Sequence, residues 1–395
     1  VEIIFEGALP AGVCNEPLTP VITLALILSR RNIHMLQNKI LGFAVILIWI
    51  VLSGNPVSAR SVERVYWIAA DEVQWDYAPS FPVNPMTGNA FDADQRVFLE
   101  YGIGRRYLKS VYRQYTEGFG AIKPRSAEEE HLGILGPIIR AAVGDRIIVH
   151  FKNNTRFPAS IHPHGVQYTQ AHEGAAHAHA AGDAHQQHGV VAPGGEHTYV
   201  WDVPERAGPG KNDPSSIAWI YHSHINEPAE TNAGLIGPII ITRKGQAKPD
   251  GAPRNIEREF ISLFTVFDEN ASLHLATNLS ACADSCDPEN EVFAESNLMH
   301  GINGLVYGNN QGYLMRKGAR VRWYVLGMGT EVDLHTPHWH GATLLHNGNR
   351  LDVTEVLPAA TKTLDMQPDV KGEWMYHCHV NDHISAGMMT MYTVE

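Results

Sequence analysis

Cysteine is scarce in this chain, four among 395 residues. That excludes a small disulfide-stapled scaffold and makes each thiol worth accounting for. Basic side chains are also in deficit, 30 against 42 acidic, for a formal net charge of -12. Nucleic acid is therefore not an expected partner, because phosphate binding needs a basic face. No apolar run reaches the about 20 residues that span a bilayer. The longest, ILGFAVILIWIVL, follows MLQNK from Met35 and precedes SGNPVSA. This reads as an export signal cleaved after Ala59, with residues 1–34 as upstream sequence. An uncleaved anchor is one alternative, and SRRNIHM offers a twin-arginine version. Either way the mature protein is expected outside the cytoplasm, periplasmic or extracellular. Long helical periodicity is absent too.

What the sequence does have is internal repetition. HPHGV at 162–166 echoes HWHGA at 338–342, and IAWIYHSH at 217–224 echoes GEWMYHCH at 372–379. After each pair comes a similar tail, AGLIGPIIIT or AGMMTMYTVE. This is a duplicated domain. RIIVHFKN (146–153), HTYVWDV (197–203) and VRWYVLG (321–327) are rich in β-branched and aromatic residues and read as strands. The expectation is all-β: two tandem Greek-key β-sandwiches, residues 60–246 and 255–395, after the segment 1–59. GQAKPDGAPRN (245–255) reads as the linker. The first half carries an extra stretch, AHEGAAHAHAAGDAHQQHG (171–189). It reads either as a metal-gathering tract using His172, His177, His179, His185 and His188 or as a tolerated surface insertion. Cys282 and Cys286 could pair or stay free, and Cys14 lies upstream.

The remaining thiol, Cys378, lies in HCHVNDHISAGM. Side chains alternate along a strand, so Cys378 points one way and His377 and His379 the other. Cys378, His383 and Met388 supply a thiolate, an imidazole and a thioether. A second imidazole, with His335 the natural candidate, completes a His₂Cys set with a weak axial methionine, the donor set of a blue copper centre. On the other face, His-x-His occurs four times: His162/His164, His222/His224, His338/His340 and His377/His379. Eight imidazoles suit a cluster of three copper ions.

These motifs, HPHG, YHSH, HTPHWHG and HCHVNDHISAGM, resemble those of the multicopper oxidases. The closest likeness is to the ceruloplasmin and hephaestin branch in a short two-domain form. The resemblance implies cupredoxin-like domains and four copper ions per chain. His335, Cys378, His383 and Met388 would hold type 1 copper, and His162 and His338 type 2. His164, His222, His224, His340, His377 and His379 would hold the type 3 pair. Ser223 stands where Cys378 stands in the other half, so only one blue centre is expected. The implied activity couples one-electron oxidation of a reductant to four-electron reduction of O₂ to water. Electrons would pass from Cys378 to His377 and His379, with the redox chemistry belonging to the metal. The resemblance also implies a homotrimer with trinuclear sites between subunits.

The reductant is less determined. The resemblance implies an Fe(II) site at Glu295, His300 and Asp382. A laccase-like phenol oxidase and a cuprous oxidase for copper tolerance use the same ligands. A two-domain nitrite reductase is disfavoured by His379, which it lacks. A non-catalytic copper-binding or sequestration protein is the remaining class.

Overall fold

A computed structural model describes residues 61–176, 188–282 and 286–395. The expected leader and the loop residues His177, His179 and His185 lie outside them. The first half contributes β1 (Glu63–Asp76), β2 (Arg106–Tyr115), β3 (Ile139–Ala142), β4 (Arg146–Asn153), β5 (His162–Pro163), β6 (Glu196–Asp202), β7 (Ser216–His222) and β8 (Ile236–Thr242). The second contributes β9 (Arg258–Asp268), β10 (Leu298–Ile302), β11 (Leu314–Met315), β12 (Val321–Gly327), β13 (Pro337–Trp339), β14 (Leu344–His346), β15 (Asn349–Leu351), β16 (Thr361–Met366), β17 (Gly372–Cys378) and β18 (Met389–Val394).

Sheet order exposes the duplication. The first half forms β2-β1-β4-β6 and β3-β8-β7-β5; the second forms β10-β9-β12-β16, extended by β14-β15, and β11-β18-β17-β13. Strand for strand the two orders match, so the repeat read from the motifs extends to the whole topology. Helices are short, the longest in the described residues being Ala93–Glu100. None of them is long and apolar enough to cross a membrane.

Alternation along the strands explains the cores. In β4, every second residue (Ile147, Val149, Phe151) is fully buried while Arg146, Ile148 and His150 are not. One apolar cluster lies within each half, around Phe151, Tyr199 and Trp201 and around Trp323, Trp339 and Tyr376. A third draws on both halves, with Tyr77, Tyr107 and Ile220 against Phe267, Tyr324 and Met328.

Polar groups also join the halves. Arg322, fully buried on β12, donates to the hydroxyls of Ser215 and Ser216 at 2.8 and 2.7 Å and chelates Asp365 at 2.6 and 2.8 Å. Lys109 on β2 meets Glu269, both with no exposed side-chain surface, and donates to the Tyr77 hydroxyl at 2.8 Å and the Asn232 carbonyl at 2.6 Å. Burial pulls the ammonium pKa down and pushes the carboxyl pKa up, against their mutual attraction.

Candidate metal centres

Cross-strand register builds the sites. On the edge strands, β5 pairs with β7 so that His162 faces His222, and β13 pairs with β17 so that His338 faces His377. The strands are shorter than the sequence suggests. Each His-x-His puts its first histidine at a strand and its second beyond the end. On the two edge strands a glycine makes that departure. Gly165 and Gly341 have φ of +77° and +67°, and a Cβ on either would lie 2.3 Å from Trp219 or 2.5 Å from Trp374. The glycine of HxHG thus seats the chain on a tryptophan of the neighbouring strand.

The two quartets are built alike. Ring centres of His162, His164, His222 and His224 lie 4.9–5.6 Å apart for the contacting pairs. For His338, His340, His377 and His379 the range is 4.7–5.5 Å. Opposed ring nitrogens approach closely: His164 and His222 at 3.1 Å, His340 and His377 at 3.0 Å, His338 and His377 at 3.2 Å. Backbone carbonyls fix the tautomers. His222 Nδ1–H donates to Ser223, His377 Nδ1–H to Cys378 and His162 Nδ1–H to Glu173, at 2.9, 2.7 and 2.7 Å. The other nitrogen of each ring is left with a lone pair, as metal ligation requires. Burial first, then the neighbouring imidazoles, lowers the pKa of His164 to about 4 and of His222 to about 3. Both are therefore neutral at pH 7. Among the described residues, ring contacts run within each quartet and none runs between them.

The cysteine faces the opposite way, as alternation requires. Its Sγ lies 3.7 Å from His383 Nδ1 and 4.0 Å from His335 Nδ1, and those two nitrogens are 3.1 Å apart. All three residues are buried. Met388 is fully buried, and its backbone receives the Cys378 N–H at 3.0 Å and donates to the His383 carbonyl at 2.9 Å. Burial alone would raise the thiol pKa. Hydrogen bonds from His335, His383 and the backbone N–H groups of Thr336 and Val380 bring it down to about 6. The set suits a thiolate-binding ion.

Asp333 was not singled out from the sequence. It is 1% exposed and accepts His335 Nε2–H at 3.1 Å, the Val266 N–H at 2.7 Å and the Thr330 N–H at 2.8 Å. It is the carboxylate that turns the other nitrogen of His335 toward the thiol. Its two-residue separation from His335 was the only available signal.

The equivalent place in the first half lacks the thiolate, imidazole and thioether, and the Ser223 hydroxyl instead accepts the Ser160 N–H at 3.0 Å. Ala159 exchanges backbone hydrogen bonds with Val191 as His335 does with Val356. Ser223 N–H donates to Leu235 as Cys378 N–H does to Met388. Ala159, Ser223 and Leu235 thus stand where His335, Cys378 and Met388 stand.

The three residues named for iron are only partly gathered. His300 is buried, its ring 5.4 Å from that of His383, and its Nδ1–H donates to the Leu298 carbonyl at 2.9 Å. Burial lowers its pKa to about 4. Glu295 and Asp382 are exposed. Among the described residues, the sets of three or more potential ligands within 4.8 Å are His335/Cys378/His383 and His338/His340/His377. Glu295, His300 and Asp382 do not form such a set. Cys282 and Cys286, left open by the sequence, form a disulfide, and among the described residues Cys378 is the free thiol.

Multicopper oxidase family models match residues 132–246 and 284–395. Human hephaestin is 42% identical over 355 residues, covering 86% of this chain and 29% of its own length. Human ceruloplasmin is 42% identical over 343 residues, 84% of this chain and 31% of its own. Human ferroxidase HEPHL1 is 40% identical, covering 84% and 29%. The chain therefore spans under a third of the length of these relatives. Among solved structures, a multicopper oxidase superposes with a TM-score of 0.54 at 18% identity, covering 84% of this chain and 89% of its own. A blue copper oxidase from Nitrosomonas europaea gives 0.52 at 17%, covering 84% and 86%. At that identity the structural likeness speaks to fold alone. The chain belongs to the multicopper oxidases, and copper is the metal that family implies.

Proposed function

We propose that this protein couples one-electron oxidation of a small reductant, Fe(II) foremost, to four-electron reduction of O₂ to water. One observation carries the reading. Cys378 sits in a buried set with His335 and His383, while the residues bonded to it on either side, His377 and His379, belong to a histidine quartet on the opposite face. A few covalent bonds therefore separate the two donor sets.

His335, Cys378, His383 and Met388 would hold one type 1 copper. His162 and His338 would hold type 2, and His164, His222, His224, His340, His377 and His379 the type 3 pair, four ions per chain in all. The donor sets fit these ions: thiolate with imidazoles on one side, lone-pair imidazoles on the other. Copper supplies the one-electron chemistry when bound. The chain's own share is to keep His164 and His222 neutral, fix the tautomers of His162, His222 and His377 through the carbonyls of Glu173, Ser223 and Cys378, and exclude water from the thiolate.

The domains are read as 60–246 and 255–395. In this reading the cluster drawing on both quartets sets the first half of one chain against the second half of another; the support is that, among the described residues, no ring contact links the quartets of one chain. The open cleft of about 490 Å³ beside His162, His164, Tyr168 and Arg206 leaves room for such a neighbour. The assembly proposed is a closed homotrimer. A fully active monomer by light scattering would refute it.

Fe(II) is favoured because His300 packs beside His383, with Asp382 preceding that residue in the chain, and because a relative is named as a ferroxidase. The test is oxygen uptake by the copper-loaded protein with Fe(II) and, in parallel, with a diphenol and Cu(I). Preference for Fe(II), lost in H300A but not for the diphenol, is expected. Preference for the diphenol would make the enzyme laccase-like, and preference for Cu(I) a cuprous oxidase. Cys378→Ser should abolish turnover with every reductant; an active C378S would refute electron entry through this thiol, whereas a copper-loaded wild type that turns over none of the reductants would leave copper sequestration.

A further inference from the structure

The histidines of the stretch 171–189 play no part in the sites above. Its first histidine, however, meets a strand residue that no motif signalled. His172 ends the turn Gln170–His172, and His197 lies on β6. Their ring centres are 5.8 Å apart at an interplanar angle of 47°. His172 Nδ1 and His197 Nε2 are both removed from solvent, and neither has a hydrogen-bond partner. Two orphaned imidazole nitrogens side by side are costly unless something binds them.

The surroundings are arranged for an occupant. The His197 Nε2 is buried without a partner, free to offer its lone pair in the neutral ring. The ring packs edge-to-face on Tyr199, with centres 4.6 Å apart. Gly189, at φ +82°, lies over the same spot: a Cβ there would sit 2.7 Å from Tyr199 and 3.4 Å from His197 Nε2. The His172 carbonyl is held by the Trp201 indole at 3.0 Å. Metal–imidazole bonds of about 2.0 Å place two ring centres about 6 Å apart across a shared, linearly coordinated ion. The observed 5.8 Å is of that size.

We infer that His172 and His197 form a two-coordinate site for a cuprous ion, beside the first-half quartet and separate from the four ions proposed above. The donors seen in the described residues, two imidazoles, suit such an ion. Among the described residues no third histidine, cysteine or carboxylate joins the pair within 4.8 Å. Zinc takes four ligands and the hard divalent ions six or more, with oxygen donors. A d¹⁰ cuprous ion is satisfied by two imidazoles in line. The next residue, Glu173, gives its carbonyl to His162, so an ion here is one residue from the group that orients a quartet member.

The experiment is anaerobic titration of the full, copper-loaded chain with Cu(I) against bathocuproine disulfonate. The wild type should retain one equivalent of Cu(I) more than H172A and more than H197Q. The blue absorption of each variant reports that it has folded, and copper-edge anomalous diffraction on the wild type should place a peak between the two rings. Retention of the extra equivalent by both variants would overturn the site and assign that copper to other histidines of the stretch. Displacement of the ion by equimolar Zn(II) would overturn its cuprous character. Oxygen turnover is not the readout, so failure of the oxidase reading and failure of this one are distinguishable.

Discussion

Replacing Asp333 by asparagine isolates what a carboxylate does for His335. The side chain is shape-matched, so packing is preserved, and Gly329 still fits: a Cβ there would lie 2.1 Å from the carboxylate. Asparagine has one acceptor oxygen where aspartate has two. If that oxygen keeps Val266 and His335, its amide nitrogen opposes the Thr330 N–H, which now donates to Asp333 at 2.8 Å. One buried donor is then unsatisfied, at a cost of about 1–3 kcal/mol in stability. The imidazole also loses its charge-assisted partner. Outer hydrogen bonds of this kind are worth about 10–100-fold in metal affinity, or about 1.4–2.8 kcal/mol. The assay is copper titration of metal-free protein, following the blue band well below the melting temperature so that the stability loss does not intrude. D333N should need at least tenfold more free copper for half-occupancy, with the quartets loading normally. Wild-type affinity with an unshifted blue spectrum would refute the role given to Asp333.

Lys109→Met should cost about 3–5 kcal/mol in denaturant unfolding, because it leaves Glu269 buried without its cation; K109M/E269Q should recover most of that, and a mild single variant would show that water reaches the site. Metal-free protein should lose stability on acidification. His131, His222 and His300 have pKa values lowered by burial to about 3, 3 and 4, so the unfolded chain takes up protons below about 6.5 while the folded one does not. The stabilisation is full above that pH and falls by up to about 1.4 kcal/mol per histidine per pH unit until the folded values are reached. A melting temperature equal at pH 7.5 and 5.5 would contradict this. Ser223→Cys should not create a second blue centre, since Ala159 and Leu235 supply no ligand; a doubled blue band per chain would contradict that assignment.

The sequence by itself determined the duplication and the all-β class, and it named the residues proposed for the type 1, 2 and 3 copper sets. These are legible because they depend on local rules. Period-two alternation puts Cys378 on one face and His377 and His379 on the other, and the repeat makes Ser223 comparable with Cys378. Strands such as Arg146–Asn153 and Val321–Gly327 were readable for the same reason. Strand length was not, because the glycine that carries each chain off its edge strand is set by a tryptophan on the neighbouring strand. Tertiary structure alone decided the rest. Asp333 is important only because His335 turns back on it. Lys109 and Glu269 are 160 residues apart, and neither belongs to a motif. His172 and His197 come together because a loop folds over β6. That no ring contact links the two quartets among the described residues is a matter of how the halves pack. Such juxtapositions arise from long-range packing, which has no period and leaves no spacing in the sequence to read.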